Sequence, residues 1–195
     1  MSWDDMAGTW DDDPAVRAYS EAALGSLREV LRARGRSLEG MRVLDFGCGT
    51  GLLTAAMAAE AAEVVGFDVS EPMVEVLRAK ALPGVVALSG TLADHDLGAF
   101  DLVTCSSVLA FVESYDTVVA ELLGLLRPGG WLVHWDWELD PAAEEPFGLS
   151  REAIAAGLAG AGFDEVLVTT GFEQPFEEMV MRPVMGLGQR GAVVP

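Results

Sequence analysis

The sequence predicts an α/β fold built on a doubly wound, mostly parallel sheet. Three observations support this prediction. Short runs rich in β-forming residues alternate with helical runs from Met41 onward, a glycine-rich turn follows the first of these runs, and the second run ends in an aspartate. Such alternation is typical of parallel strands, because a parallel connection needs a crossover, usually a helix.

Hydrophobic periodicity and the turns between the runs locate the individual elements. We expect strands at residues 42–46, 63–68, 85–88, 100–105 and 131–137. We expect helices at residues 52–60, 72–81, 114–126 and 150–161. This order predicts a Rossmann-like sheet with helices on both faces.

The last part of the chain has a different pattern. Residues 163–171 and 178–188 are predicted as strands, and only a short connection around Gln174–Phe176 separates them. Because a crossover helix does not fit there, the two strands should be antiparallel neighbours at one edge. The complete prediction is a seven-stranded, mostly parallel sheet with an antiparallel edge strand.

A helix is predicted before the sheet. Asp13 supplies an N-cap and Pro14 suits the first helical position. Apolar residues then recur at helical spacing until Gly35. We expect residues 1–36 to form an N-terminal lid or helix segment within one domain that spans residues 1–195, since the chain is too short for two such domains.

Charge and composition exclude several classes of partner. The net charge of −19 disfavours nucleic acid and anionic membrane surfaces, and favours neutral or cationic small molecules. The N-terminus lacks the pattern of a signal peptide, and no apolar run approaches the roughly 20 residues of a membrane helix, so we expect a cytoplasmic protein. Two isolated cysteines and no Cys/His ligand spacing predict no disulfide framework and no metal site.

The most informative motif is the turn after the first strand. Residues 43–54 read VLDFGCGTGLLT, with Gly47, Gly49 and Gly51 at every second position. Such a turn lets the backbone approach a ligand closely. The second strand ends at Asp68, where a carboxylate can accept hydrogen bonds from both hydroxyls of a ribose. The combination predicts an adenosine-containing ligand, although Asp45 could simply cap the loop and Asp68 could simply cap a helix.

These motifs resemble the class I S-adenosylmethionine-dependent methyltransferases of the small-molecule type, similar to the ubiquinone/menaquinone-biosynthesis methyltransferases. The resemblance rests on four stretches in order: VLDFGCGTGLLT at 43–54, GFDVS at 66–70 followed by PM at 72–73, FDLV at 100–103, and LLRPGGWLV at 125–133. It implies S-adenosyl-L-methionine as the cofactor. It also implies methyl transfer to a small acceptor that the sequence does not identify.

The resemblance also implies roles for individual residues. The methionine part of the cofactor would lie against Asp45, Gly47, Cys48, Gly49, Thr50 and Gly51. Asp68 would hold the ribose, and Val69 and Met73 would pack against adenine, although Met73 fits ordinary helix packing equally well. Ser106, at the end of the fourth strand, is a further candidate for contact with the cofactor.

Two departures from the family pattern concern the ends of the site. The acid that usually contacts adenine is missing in register, because Thr91 and Leu92 follow Gly90. Thr91, Leu92 and Asp94 are still candidates for contact with the cofactor: Leu92 could cover the adenine ring, and Asp94 could replace the acid or lie in a solvated loop. Where many relatives carry histidines after the fourth strand, this chain has Ala110 and Phe111.

The acceptor side offers candidates of several kinds. On the fifth strand His134 and Asp136 share one face, as a base with its orienting partner, as lining of the acceptor pocket, or as a structural pair. A base is optional, because the sulfonium is already an activated leaving group. Trp10 and Tyr19 are candidate lid residues, or else anchors of the first helix.

Two other functions compete with methyl transfer. A nicotinamide-dependent dehydrogenase would carry GxGxxG, whereas this loop reads GxGxG, and the Arg-Pro-Gly-Gly turn has no role in such an enzyme. A protein that binds S-adenosylmethionine without turnover, as a sensor or degenerate subunit, is the stronger alternative, because the histidines are missing.

Overall fold

Two helices lead the chain into the sheet. The computed structural model describes residues 2–177 and 179–192. Helix α1 spans Trp3–Met6, a 3₁₀ helix spans Trp10–Asp12, and α2 spans Pro14–Ala33. As predicted, the Asp13 carboxylate accepts a hydrogen bond from the Ala15 amide at 2.8 Å, with Pro14 in the first turn. The α2 stripe of Ala23, Leu27 and Leu31 is fully buried.

Strands and helices then alternate as expected. The elements are β1 (Arg42–Phe46), α3 (Leu52–Ala58), β2 (Glu63–Asp68), α4 (Glu71–Ala79), β3 (Val85–Ser89), β4 (Phe100–Ser106), α5 (Tyr115–Leu125), β5 (Leu126–Asp136) and α6 (Arg151–Ala161). The C-terminal elements are β6 (Phe163–Thr170), β7 (Gln174–Phe176), β8 (Met179–Met181) and β9 (Val184–Arg190). Most predicted boundaries hold within two residues, but β5 begins five residues early, because the Arg-Pro-Gly-Gly stretch is already extended.

The main sheet has seven strands in the order β3-β2-β1-β4-β5-β9-β6. The first five are parallel to one another, which confirms the doubly wound prediction. The strand order reverses between β1 and β4. In open parallel sheets, a crevice for ligands forms at such a reversal, outside the carboxyl ends of the strands.

The antiparallel pair closes one end of this sheet, as predicted, with two corrections of detail. Strand β9 pairs antiparallel with both β5 and β6, so it lies one place inside the edge and β6 is outermost. The strand predicted at residues 178–188 is two strands, β8 and β9, separated by Arg182 and Pro183; proline has no N–H for a ladder. Glu178, its predicted first residue, lies outside the described residues. Strand β8 pairs instead with β7.

Helices cover both faces of the sheet. On one face α2 and α3 bury Leu27 and Met57 against Val133 and Trp135 of β5. On the other face Leu132 of β5 joins the cluster that contains α5 and α6. The predicted period-two alternation of β5 is therefore confirmed. Among the described residues, no helix is both long enough and apolar enough to cross a membrane.

The contact between α5 and α6 makes a matched test of packing. A Cβ on Gly157 of α6 would lie 2.6 Å from the Tyr115 ring of α5, whereas a Cβ on Gly160 would meet nothing within 4 Å. We expect Gly160→Ala to stabilise the fold by up to about 1 kcal/mol through helix propensity. Gly157→Ala should destabilise it by about 1–3 kcal/mol through overpacking.

Urea unfolding of the two variants measures both effects. Because both substitutions lie in one helix, three residues apart, each serves as the control for the other. Equal changes in the free energy of unfolding would contradict close packing of α5 on α6.

Candidate functional site

A cavity of about 500 Å³ lies at the carboxyl ends of β1, β2 and β4. At one end are the glycine loop after β1 and the residues that end β2. At the other end are the last residue of β4, the turn after it, and side chains of α2. This volume falls in the range of roughly 300–1,000 Å³ that is common for small-molecule sites.

The glycine loop is fixed by the backbone of β2. The amides of Gly47 and Cys48 both donate to the Phe67 carbonyl, at 2.7 and 3.0 Å. Gly47 has a φ of +73°, and a Cβ there would lie 2.2 Å from the Val108 side chain. A side chain at this position is therefore excluded both by backbone conformation and by space.

Asp68 joins the loop to the start of α4. One oxygen of its carboxylate accepts from the Gly49 amide at 2.8 Å, and the other accepts from the Ser70 amide at 2.9 Å. A carboxylate has about four acceptor sites, so each oxygen can still accept a further hydrogen bond. Because Asp68 lines the cavity, that further donor can come from a ligand.

Asp45 is a nearly fully buried carboxylate at the base of the cavity, 1% exposed. It accepts hydrogen bonds from the hydroxyls of Thr54, at 2.6 Å, and Thr104, at 2.9 Å. Burial raises the pKa of Asp45 to about 6, against the lowering effect of these hydrogen bonds. A cation bound in the cavity would favour its ionised form.

The N-terminal segment lies over the glycine loop. Asp11 accepts a hydrogen bond from the Thr50 hydroxyl and pairs with Lys80 at 2.7 Å. Lys80, the single lysine of the chain, also donates to the Thr50 carbonyl at 2.8 Å. The Trp10 ring lies above Gly49 and lines the cavity.

Aromatic contacts continue from this segment to the mouth of the cavity. The rings of Trp3 and Trp10 meet edge to face at 5.8 Å between centroids. Trp3 meets Phe111 in the same way at 5.2 Å, and Phe111 contacts Phe147 at 5.0 Å. All of these rings except that of Phe147 line the cavity.

The second end of the cavity is formed around Tyr19. The Tyr19 ring contacts Phe172 at 5.0 Å and Trp137 at 6.1 Å between centroids. Ser106 and Ser107 also line this part of the cavity. Ser107 has a φ of +57°, and its amide donates to the Trp135 carbonyl at 2.7 Å, which fixes the turn after β4.

His134 and Asp136 are brought together, but away from the cavity. Both are 0% exposed, and neither lines the cavity wall. His134 Nδ1 lies 2.8 Å from Asp136 Oδ2, and His134 Nε2 lies 3.1 Å from the Tyr115 hydroxyl. Asp136 Oδ1 accepts from the Ala110 amide at 3.0 Å. The pair thus holds the segment between β4 and α5.

Most of the cofactor residues expected from the sequence meet at this cavity. They are Asp45, Gly47, Cys48, Gly49, Thr50, Asp68, Val69, Met73, Ser106, Trp10 and Tyr19. Gly51 does not face the cavity: its Cβ would point at Leu77, 2.3 Å away, so this glycine allows α3 and α4 to pack.

The residues after β3 also lie off the cavity wall. Thr91 and Asp94 are exposed and Leu92 is half-buried. The Asp94 carboxylate accepts from the Thr91 amide and hydroxyl, at 3.2 and 2.7 Å, which caps a short 3₁₀ helix. These hydrogen bonds lower the pKa of Asp94. The Asp94 carboxylate therefore caps its own turn and does not face the cavity.

Several lining residues were not in the set expected from the sequence. Ser107, Val16 and Trp137 line the second end, and Lys80 holds the N-terminal segment. A single lysine in a chain of net charge −19 was the available signal for Lys80. The helical stripe of α2 included Val16, but periodicity does not separate a cavity wall from a core.

The sheet order, the glycine loop and the aspartate that ends β2 define an α/β protein with a nucleotide-type site at the switch point of its sheet. The sequence pattern of a family described as methyltransferase domain matches residues 44–134. Residues 44–134 of this chain thus carry a methyltransferase domain, which supports a class I S-adenosylmethionine-dependent methyltransferase. Both the predicted fold and the resemblance stated above are therefore confirmed.

Relatives and solved structures agree with this assignment. Ubiquinone biosynthesis O-methyltransferase of Bordetella avium is 35% identical over 130 residues, 63% of this chain and 53% of that protein. The same enzyme of Alkalilimnicola ehrlichii is 40% identical over 130 residues, 64% and 52% of the two chains. The chain thus spans about half the length of these curated relatives.

A solved structure shares the fold over most of its length. Magnesium protoporphyrin IX methyltransferase (ChlM) from Synechocystis PCC 6803, with bound SAH, superposes with a TM-score of 0.70. The identity is 22%, and the match covers 90% of this chain and 85% of that one.

The raised pKa of Asp45 gives a test by pH. Because its pKa is about 6 when folded, against an ordinary 3.8, this carboxyl favours the folded state below about pH 4. That contribution is lost as the pH rises through 6, by roughly 3 kcal/mol in total. We therefore expect the stability of wild type, relative to Asp45→Asn, to fall between about pH 4 and pH 7.5.

Urea unfolding at several pH values measures this difference. Asp12→Asn, which removes an exposed carboxylate, is the control. A difference that stays flat or rises with pH would contradict a raised pKa.

The Lys80 contacts give a test of the N-terminal segment. Lys80→Met removes the ion pair with Asp11 and the bond to Thr50, so residues 9–13 should open more often. Ion pairs of this exposure contribute at most about 1 kcal/mol, so amide hydrogen exchange there should accelerate by up to about fivefold. Arg78→Met, two residues earlier and paired with Glu71, is the matched control. Unchanged exchange in Lys80→Met would show that the other contacts, among them the Thr50–Asp11 hydrogen bond and the aromatic contacts, suffice to hold the segment.

Proposed function

We propose that this protein transfers the methyl group of S-adenosyl-L-methionine to a small neutral or cationic acceptor. The observation that carries the proposal is the cavity itself: the glycine loop and Asp68 form one end, and a separate apolar end adjoins it. Two reactants can therefore lie side by side in one cavity. Holding two reactants in this way is the main requirement of methyl transfer.

The residues at the loop end fit the cofactor. Asp45 and Asp68 are the charged side chains of the described cavity wall, and both are negative, which suits a ligand with a sulfonium and an ammonium group. Asp68 retains acceptor capacity for ribose hydroxyls. Val69 and Met73 offer apolar surface for adenine, and Trp10 covers Gly49 from above.

When bound, the cofactor supplies an activated methyl group, so the chain mainly has to orient the acceptor and exclude water. The rings of Trp3, Trp10 and Phe111 contact one another at the mouth of the cavity and shield part of it from solvent. Tyr19, Ser106 and Ser107 provide the polar groups at the acceptor end. Exclusion of water strengthens every electrostatic contact inside the site.

We propose a positioning role for His134 and Asp136 rather than direct proton transfer. Asp136 holds the Ala110 amide and is itself held by His134, so the pair sets the turn that carries Ser107 and Phe111 to the cavity. Without a histidine on the wall, the acceptor atom should be one that needs little help in losing a proton.

Comparison with known proteins supports methyl transfer and a small acceptor. The curated relatives are named as O-methyltransferases of ubiquinone biosynthesis, and ChlM was solved with bound SAH. No observation on the described residues favours binding without turnover. The acidic chain also argues against nucleic acid as the acceptor.

Titration calorimetry with S-adenosylhomocysteine tests the cofactor site. We expect micromolar binding to wild type. Asp68→Asn should weaken it about 10- to 150-fold, because a carboxylate acceptor for the ribose is lost. Asp94→Ala should change it by less than about twofold, since that carboxylate caps its own turn.

Transfer of labelled methyl from S-adenosylmethionine to a panel of small neutral and cationic acceptors then tests turnover. Unfolding midpoints of both variants establish that the fold is intact. Binding that survives in Asp68→Asn and collapses in Asp94→Ala would contradict the proposed orientation. Absence of binding to wild type would contradict the proposed function.

A further inference from the structure

Asp45 is a buried carboxylate without a counter-ion. It is 1% exposed, and its hydrogen bonds come from two neutral hydroxyls, those of Thr54 and Thr104. Among the described residues, no lysine, arginine or histidine lies within ion-pair distance of it. Buried charges in proteins are normally paired. Because Asp45 lines the cavity, the missing positive charge can come from a ligand.

The groups that face Asp45 supply no compensating charge. Burial raises the pKa of Asp45, and the like charge of Asp68, at the end of β2, raises it further. Cys48 in the glycine loop and Cys105 in β4 also face it, and burial raises the pKa of both thiols, so both stay neutral. The positive charge of Lys80, just after α4, is compensated by its own ion pair. The floor of the cavity is therefore negative.

The sheet order places Asp45 between the two ends of the cavity. Strand β1, which carries it, lies between β2 and β4. Strand β2 ends at Asp68, the proposed ribose contact, and β4 ends at Ser106, at the acceptor end. A methyl group that passes from one end to the other is therefore transferred above the end of β1, within about two strand spacings of Asp45.

Methyl transfer changes the charge of the cofactor at this place. The S–CH₃ bond breaks with both electrons left on sulfur, and a lone pair of the acceptor forms the new bond. An acceptor that carries a proton on the attacking atom releases it to solvent. The sulfonium of S-adenosylmethionine thereby becomes the neutral thioether of S-adenosylhomocysteine. A charge difference of this size is strongly felt by a carboxylate in surroundings of low dielectric constant.

We propose that Asp45 makes the site selective for the methylated cofactor over its demethylated product. The ionised carboxylate attracts the sulfonium and gains nothing comparable from the thioether, so the product is held less tightly and is exchanged for fresh cofactor. Both ligands share the nucleoside, the ammonium and the carboxylate, and these parts do not contribute to the difference. The inference rests on the proposed function and adds a way for that site to limit inhibition by its own product.

The same carboxylate makes the selectivity depend on pH. Because the pKa of Asp45 is about 6 in the empty site, the carboxyl is mostly protonated at pH 5 and mostly ionised at pH 7. A nearby cation favours the ionised form, so the sulfonium competes with the proton. Affinity for S-adenosylmethionine should therefore fall as the pH falls through 6, and affinity for S-adenosylhomocysteine should fall much less.

Titration calorimetry without an acceptor measures both ligands on the same protein. At pH 7 wild type should bind S-adenosylmethionine about 5- to 30-fold more tightly than S-adenosylhomocysteine. Asp45→Asn should reduce this ratio at least about fivefold, because only the charge is removed. Asp12→Asn, which removes an exposed carboxylate next to the segment over the glycine loop, is the matched control and should change the ratio by less than about twofold.

The pH series is a second measurement that does not depend on a variant. Between pH 7 and pH 5 the ratio for wild type should fall by up to about tenfold, as expected for competition with one proton. The ratio for Asp45→Asn should stay constant over the same range, although Asp68 and Lys80 are unchanged in that variant. Unfolding midpoints establish that each variant is folded.

Equal affinities of wild type for the two ligands at pH 7, or a ratio that does not depend on pH, would overturn the proposal while the cofactor site stands. Equal losses in Asp12→Asn and Asp45→Asn would assign the preference to the net charge of the chain and would overturn it as well. If neither ligand binds to wild type, the proposed function fails, and the selectivity fails with it.

Discussion

The passage of the chain from β1 into α3 is the constraint on which the rest of the site depends. The turn must run so close to the end of β2 that the amides of Gly47 and Cys48 reach the Phe67 carbonyl and the Gly49 amide reaches Asp68. These bonds satisfy buried donors that no helix or ladder could satisfy. They also leave the loop rigid before any ligand arrives.

Asp45 shows what this arrangement costs. A carboxylate is kept almost without exposure beneath the loop, where burial outweighs two hydroxyl donors and its pKa rises to about 6. The group destabilises the empty fold at neutral pH. If a cationic ligand binds in the cavity, as proposed, the same charge would interact favourably with it, and part of the stability of the fold would be exchanged for ligand affinity.

Local patterns predicted much of this structure, because strand, glycine turn and terminal aspartate are properties of short segments. Asp13 caps α2, Asp68 ends β2 and the side chains of β5 alternate, as the local patterns predicted. The ribose contact of Asp68 stays a prediction. Asp94 lies off the cavity wall, because its carboxylate accepts hydrogen bonds from Thr91, three residues earlier, and so caps its own turn. His134 lies on the predicted face of β5. That face is covered by α5 and α6. Because these helices are distant in sequence, the alternation within one strand does not predict their packing. The lack of a counter-ion for Asp45 among the described residues has no counterpart in any sequence pattern.

The place of β9 has a consequence for how the chain is made. In the described sheet, β6 pairs with β9 and with no other strand, and β9 ends at Arg190. During synthesis β5 therefore keeps an open edge, and β6 has nothing to pair with, until the ribosome has released residues 184–190. The β5–β9 pairing joins residues as far apart in sequence as Trp131 and Gln189, and such distant contacts form late and slowly. A nascent chain stalled just before β9 should be the species most in need of a chaperone.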